Sequence, residues 1–180
     1  RFPEFGFLRG YENLDRIKQA RIANKKIIAI LLYRTHYLAD DIQPIQQLIE
    51  EIEALGSVVM PLYCSMMKQP QDEIHPVEKY LVDEKGVPFP HVIIDCLSYA
   101  TVDVSTTGSV TEGGNDLKGL FARLNIPVLH ALYCSESESQ WRENKKGMSP
   151  RDMGMKVVLP EFDGKIIAHP IGFVEESILK

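Results

Sequence analysis

Seven consecutive residues, Ile27-Ile28-Ala29-Ile30-Leu31-Leu32-Tyr33, include no charged side chain, and this run limits the fold more than any other feature of the chain. A strand with one face in water alternates apolar and polar residues. An unbroken run is apolar on both faces and belongs in the middle of a sheet covered on both sides, the usual environment of parallel strands. Parallel strands need long crossovers, usually helical, and the next residues supply one. Ile42, Ile45, Leu48, Ile49, Ile52 and Leu55 recur at helical spacing, Asp41 offers an N-cap, and Gly56 a stop. The apolar run Val58–Tyr63 completes a βαβ unit.

The remaining sequence repeats the alternation. A short helix is predicted over His75–Val82, and the breakers Gly86, Pro88 and Pro90 precede a third strand, His91–Asp95. Leu97–Gly114, rich in Ser, Thr and Gly, reads as a long loop of the functional or mobile kind. Asn115 or Asp116 caps a helix carrying Leu117, Leu120, Phe121 and Leu124, followed by a fourth strand, Ile126–Leu132. Ser135-x-x-Glu138 resembles a capping box for a helix containing Trp141, and Ser149-Pro150-Arg151-Asp152 opens another helix that should end near Pro160. Lys165–His169 is the fifth strand. The economical solution is an α/β domain, an open, mostly parallel sheet with helices on both faces, flavodoxin-like or a related doubly wound arrangement. Residues 1–24, with Leu8, Tyr11, Leu14 and Ile17 at roughly every third position, are expected to form a lead-in helix from a preceding domain, and 25–180 a single domain. The start at Arg1 is expected to mark a fragment of a longer chain.

Composition narrows the function classes. With 20 basic and 25 acidic residues the net charge is −5, and no Lys/Arg run forms the stripe that a phosphate backbone requires, so no nucleic acid is expected as a partner. No apolar run approaches a membrane span and Arg1–Phe5 has no signal-peptide character, which points to a cytoplasmic protein. The three cysteines, Cys64, Cys96 and Cys134, are widely spaced without Cys-x-x-Cys, as expected of reduced thiols rather than a disulfide framework or a zinc site. Thr107–Gly114 is glycine-rich but matches neither phosphate-binding fingerprint, so ATP hydrolysis is not expected here.

Ligands of such sheets bind at the carboxyl ends of the strands. The residues there are Arg34, Thr35 and His36 after the first strand, Cys64 and Ser65 after the second, Asp95 and Ser98 after the third, Cys134 and Ser135 after the fourth, and His169 after the fifth. Polar residues also cap strands in any α/β fold, so each has a purely structural alternative. Arg34-Thr35-His36 is the best local candidate, because a cation and a titratable imidazole share one strand end. Asp95 with Asp40 and Asp41 faintly outlines a phosphoacceptor receiver, but no lysine follows the last strand. In a 2-1-3-4-5 strand order, Cys64 and Cys134 stand three strand spacings apart, roughly 14 Å, too far for a disulfide.

Three stretches together resemble the CobN/magnesium-chelatase H family. They are Ile30–Leu38, with Tyr33-Arg34-Thr35-His36 against the family's Tyr-Arg-Ser-His; Val128–Ser135 with Trp141; and Gly147–Ile167, containing Ser149-Pro150-Arg151-Asp152 and Val158-Leu159-Pro160-Glu161-Phe162-Asp163-Gly164. Within the family, Ser149-Pro150, Asp152, Ile166-Ile167 and Pro170-Ile171-Gly172-Phe173 look more like the cobalt branch. The resemblance implies a large subunit that holds a tetrapyrrole while separate AAA+ partners hydrolyse ATP, with cobalt, or magnesium, and the tetrapyrrole as substrates and no cofactor bound by this domain. The other domains of the same large chain would be further partners. It also implies roles for Arg34 and Thr35 in substrate binding, His36 as proton acceptor or transient metal ligand, and Ser65 and Ser135 as hydrogen-bond donors; no catalytic residue is assigned. The alternative is a non-catalytic ligand-binding or scaffold module of a CobN-like protein handling another tetrapyrrole, by magnesium insertion or metal removal.

Overall fold

A computed structural model describes residues 2–65, 76–97, 120–134, 136–145, 148–162 and 164–173. In chain order the elements are β1 (Phe5–Phe7), α1 (Leu14–Ile22), β2 (Ile27–Tyr33), α2 (Arg34–Leu38), α3 (Gln43–Ala54), β3 (Val58–Cys64), α4 (Glu78–Leu81), β4 (Val92–Asp95), α5 (Leu120–Leu124), β5 (Val128–Cys134), α6 (Glu138–Glu143), α7 (Pro150–Met153), a π turn (Gly154–Val158), α8 (Leu159–Phe162) and β6 (Ile166–Phe173). They build a six-stranded sheet of order β1-β3-β2-β4-β5-β6. Every pairing is parallel except β1 with β3. The five parallel strands stand in the 2-1-3-4-5 order considered from the sequence.

Both faces are covered, as the run Ile27–Tyr33 requires. On one face Ile27, Ala29 and Leu31 meet Ile17 and Ala20 of α1, Leu81 of α4 and Leu120, Phe121 and Leu124 of α5. On the other, Ile30 and Leu32 meet Ile45, Ile49 and Ile52 of α3. Burying such side chains is worth roughly 1.5–3 kcal/mol each, which fixes the register of β2, since a one-residue slip would exchange its two faces.

Several boundaries differ from the sequence expectation. Only Leu14–Ile22 of the expected lead-in helix is helical; Phe5–Phe7 is an antiparallel edge strand with Phe5 opposite Cys64 and Phe7 opposite Leu62. The exposed ladder of β3 accepts it, while Pro61 of β3, which has no N–H, accepts from Leu8 through its carbonyl at 3.0 Å. Asp41 does not cap α3: Ile42 holds that place without a side-chain bond, and Pro44 lies in the first turn, where it removes one of the donors a cap would serve. The capping box of α6 is Ser137 with Gln140 rather than Ser135 with Glu138; the Gln140 N–H donates to Ser137 Oγ at 3.2 Å. Ser149 caps α7 as expected, accepting from the Asp152 N–H at 3.1 Å. The chain continues through a π turn to Phe162, beyond the stop expected near Pro160. The short helix after Pro76 is confined to Glu78–Leu81. Most of the loop Leu97–Gly114 and the start of the helix at Asn115 or Asp116 lie outside the described residues.

Candidate functional site

At the carboxyl end of β2 the chain turns directly into α2 rather than into a loop, so Arg34 and His36 share one helical turn on one rim of the sheet. The helix closes with the Asp41 N–H donating to the His36 carbonyl at 2.9 Å and the Asp40 N–H to the Tyr37 carbonyl at 3.3 Å. This is a Schellman closure, and it requires a left-handed residue, here Asp40 at φ +58°. Glycine is the common choice; Asp tolerates the conformation better than most side chains. The reversal brings Asp41 Oδ2 to 2.9 Å from His36 Nδ1. An ionised carboxylate can only accept, so Nδ1 carries the proton, and in the neutral ring Nε2 carries the lone pair.

The imidazole stacks on Tyr133 of β5 at 5.9 Å between centroids and 16° between planes, and lies 5.9 Å from the Tyr33 ring. Tyr133 lies over Gly172 of β6, where a Cβ would come within 2.8 Å of its Cε1, so the close approach of ring and strand requires glycine. Together β2, α2, β5 and β6 present a half-exposed aromatic shelf around one imidazole.

Arg34 faces the other way along the rim. Its Nε donates to the Pro3 carbonyl at 2.8 Å and Nη2 to the Phe2 carbonyl at 3.1 Å, with the guanidinium 5.4 Å from the Phe2 ring centre. Phe2 packs on Tyr37 and Tyr63, which stack at 4.9 Å. Ser65 Oγ donates to the Glu4 carbonyl at 3.3 Å. Arg34 and Ser65 thus hold residues 2–4 against the strand tips, with Nε and one Nη2 donor of Arg34 given to these carbonyls. Thr35 is exposed on α2, and Ser98 and Ser135 lie outside the described residues.

Beneath the opposite face lies a buried ionic cluster. Lys165 Nζ and Asp95 Oδ2 are 2.7 Å apart with both side chains fully buried. Asp95 Oδ1 accepts from the Leu97 N–H at 3.1 Å, and His130, opposite Asp95 in the β4–β5 ladder, bonds the Asp95 carbonyl through Nδ1 at 3.1 Å. His130 Nε2 is buried without a hydrogen-bond partner among the described residues. Burial, then the Lys165 charge, depress the His130 pKa to about 4 from 6.5, against the Asp95 carbonyl bond, which raises it. The unfolded chain therefore binds a proton here before the folded one does. The contribution of His130 to stability should be intact above pH 6.5 and be lost progressively as pH falls towards 4. Urea unfolding across that window checks this, with His130→Leu expected to flatten the slope.

Cys64, Cys96 and Cys134 are buried, and burial pushes the Cys64 and Cys96 thiols up, away from nucleophilic or metal-binding use. No group of three or more His, Cys, Asp or Glu side chains among the described residues could hold a metal, so His36 has no companion ligands there. A shallow depression is lined by Cys134, Glu136, Trp141, Met148, Asp152 and Lys156, the last two paired at 2.9 Å. No described helix is long and apolar enough to cross a membrane.

Of the sequence candidates, the structure places Arg34, Thr35, His36 and Ser65 near one rim, but Arg34 and Ser65 serve the N-terminal segment while His36 faces Tyr133. Sequence reasoning treated Asp41 as a helix cap and passed over Tyr133. A signal for Asp41 was present: a second Asp directly after a left-handed-tolerant one, five residues from a histidine.

The description CobN/Magnesium Chelatase belongs to the family model that matches residues 3–179. The aerobic cobaltochelatase subunit CobN of Pseudomonas aeruginosa is 30% identical over 151 residues, 84% of this chain and 11% of that protein. The chloroplastic magnesium-chelatase subunit ChlH of Oryza sativa is 27% identical over 152 residues, 83% of this chain and 10% of that protein. A solved catalytic subunit of cobaltochelatase from Mycobacterium tuberculosis superposes with a TM-score of 0.69 at 26% identity, covering 97% of this chain and 14% of that one. The chain therefore spans about a tenth to a seventh of the length of these proteins.

Proposed function

The chain belongs to the CobN/magnesium chelatase family, and on that premise we propose that it is a domain of the tetrapyrrole-binding large subunit of an ATP-dependent metal chelatase, with the α2–β5 shelf as one wall of the macrocycle cavity. The observation that carries the reading is the His36–Tyr133 stack at the carboxyl end of the sheet, with Asp41 on the other ring nitrogen. A tetrapyrrole is a flat π system, and offset stacking on half-exposed aromatic rings suits it. Metal insertion breaks each inner N–H bond. The electron pair stays on the ring nitrogen and is donated to the incoming metal ion, and the proton must be accepted by a base. His36 Nε2 is that base in this proposal, and Asp41 steadies the imidazolium that results. Ring distortion and metal dehydration require energy from outside the domain, a role given to separate AAA+ subunits in a cytoplasmic complex.

Cobalt insertion into a corrin precursor is the preferred reaction, supported by the CobN relative and the cobaltochelatase structure, with the ChlH relative making magnesium the competitor. The test uses the full-length chain, titrated with deuteroporphyrin and with a metal-free corrinate, then assayed with Co²⁺ and Mg²⁺ and its ATPase partners. Tyr133→Leu should raise the macrocycle Kd about tenfold, equivalent to roughly 1.4 kcal/mol, while Tyr133→Phe, which keeps the ring, should leave it unchanged. Parent-like binding by Tyr133→Leu would remove the shelf from the cavity. Magnesium insertion into the porphyrin without action on the corrinate would overturn the cobalt assignment and keep the tetrapyrrole one.

A further inference from the structure

Asp41 stands outside the three-residue element Arg34-Thr35-His36, yet the fold spends a strained residue to place it. Asp40 adopts φ +58°, and the backbone bond from the Asp41 N–H to the His36 carbonyl closes α2 so that the two side chains face each other at 2.9 Å. Both are solvent-accessible, with 43% and 71% of their side chains exposed, so the contact contributes little to stability. Its geometric effect is definite. The carboxylate accepts from Nδ1, the Tyr133 ring supports one face of the imidazole at 5.9 Å, and the lone pair on Nε2 points away from Asp41. A histidine without such a partner divides between two tautomers and several ring rotations; a carboxylate at Nδ1 favours the Nδ1–H tautomer and this orientation.

We propose that Asp41 is a positioning residue for the proton-accepting step, acting through His36 by fixing its Nδ1–H tautomer and aiming Nε2 at the inner N–H of the macrocycle. The inference rests on the reading of His36 as that acceptor. The proton leaves the ring nitrogen for Nε2, Nδ1 keeps its own proton, and Asp41 stays ionised throughout.

The test is made in the full-length large subunit with its ATPase partners, using deuteroporphyrin and a metal-free corrinate with Co²⁺ and Mg²⁺. Asp41→Ala should lower kcat for insertion about tenfold, the scale seen when a partner that orients a functional histidine is removed. The macrocycle KM and the melting temperature should stay at parent values, because Asp41 touches neither the core nor the substrate. In a His36→Ala background the same change should have no further effect, since its route to the reaction is gone. The inference is overturned by a parent-like kcat in Asp41→Ala, by a change confined to KM, or by an equal loss with and without His36. If His36→Ala itself turns over like the parent, the reading beneath fails and this inference with it. Impaired His36→Ala beside parent-like Asp41→Ala removes the positioning role alone.

Discussion

Replacing Lys165 with methionine is expected to destabilise the domain by about 3–5 kcal/mol, a large part of the stability of most domains this size. The reason lies in what remains. Asp95 and Lys165 are both fully buried and 2.7 Å apart, and the Lys165 ammonium also lies 5.4 Å from the Phe121 ring centre. Removing the cation takes away the ammonium that lies 2.7 Å from a fully buried carboxylate, and a buried charge that loses its ion partner carries a large desolvation penalty. The Asp95→Leu, Lys165→Met pair removes both charges at similar volume and should be far less harmful than either single change, because the desolvation penalty disappears with the ions. Urea unfolding of the two single variants and the double variant measures the difference. A Lys165→Met protein as stable as its parent would show that the pair is not buried in solution.

His36→Ala is expected to lower the metal-insertion rate of the full-length subunit by about 100-fold or more, the usual span for removing a general base. The imidazole is half-exposed and its only side-chain hydrogen bond among the described contacts is to Asp41, so the fold should survive and the loss should appear in kcat. Arg34→Ala should act differently. Its guanidinium holds the Phe2 and Pro3 carbonyls, so its loss should loosen the first strand as well as any effect on the macrocycle. Single-turnover insertion, with melting curves for both variants, separates the two. Parent-like insertion by His36→Ala would leave this domain as a scaffold within the chelatase.

Where the sequence reading was accurate, the residues carried local information. The apolar run in β2, the spacing of Leu120, Phe121 and Leu124 in α5, and Ser149-Pro150 each state a backbone period or a cap within one element. The same logic failed for Phe5-Gly6-Phe7. Three residues are too few to display a period, and they form a strand only because the edge of β3 offers unpaired groups and because Gly6 has no Cβ to collide with the Tyr63 ring, whose Oη would lie at 2.7 Å. It failed again for Asp41, whose carboxylate had two uses within reach, capping α3 or binding His36; Pro44 in the first turn of α3 weakened the first.

The chain by itself determined the alternation of strands and helices and hence a parallel sheet covered on both faces, because burial pattern and capping are written in neighbouring residues. Its motifs also determined the family. Only the tertiary structure decided that Lys165, at the start of the last strand, neutralises Asp95 at the end of another, that Arg34 turns to the N-terminal segment, and that His36 meets Tyr133 and Asp41. Contacts between residues 70 or 97 positions apart depend on strand order and on the hand of the crossovers, quantities that no window of sequence contains.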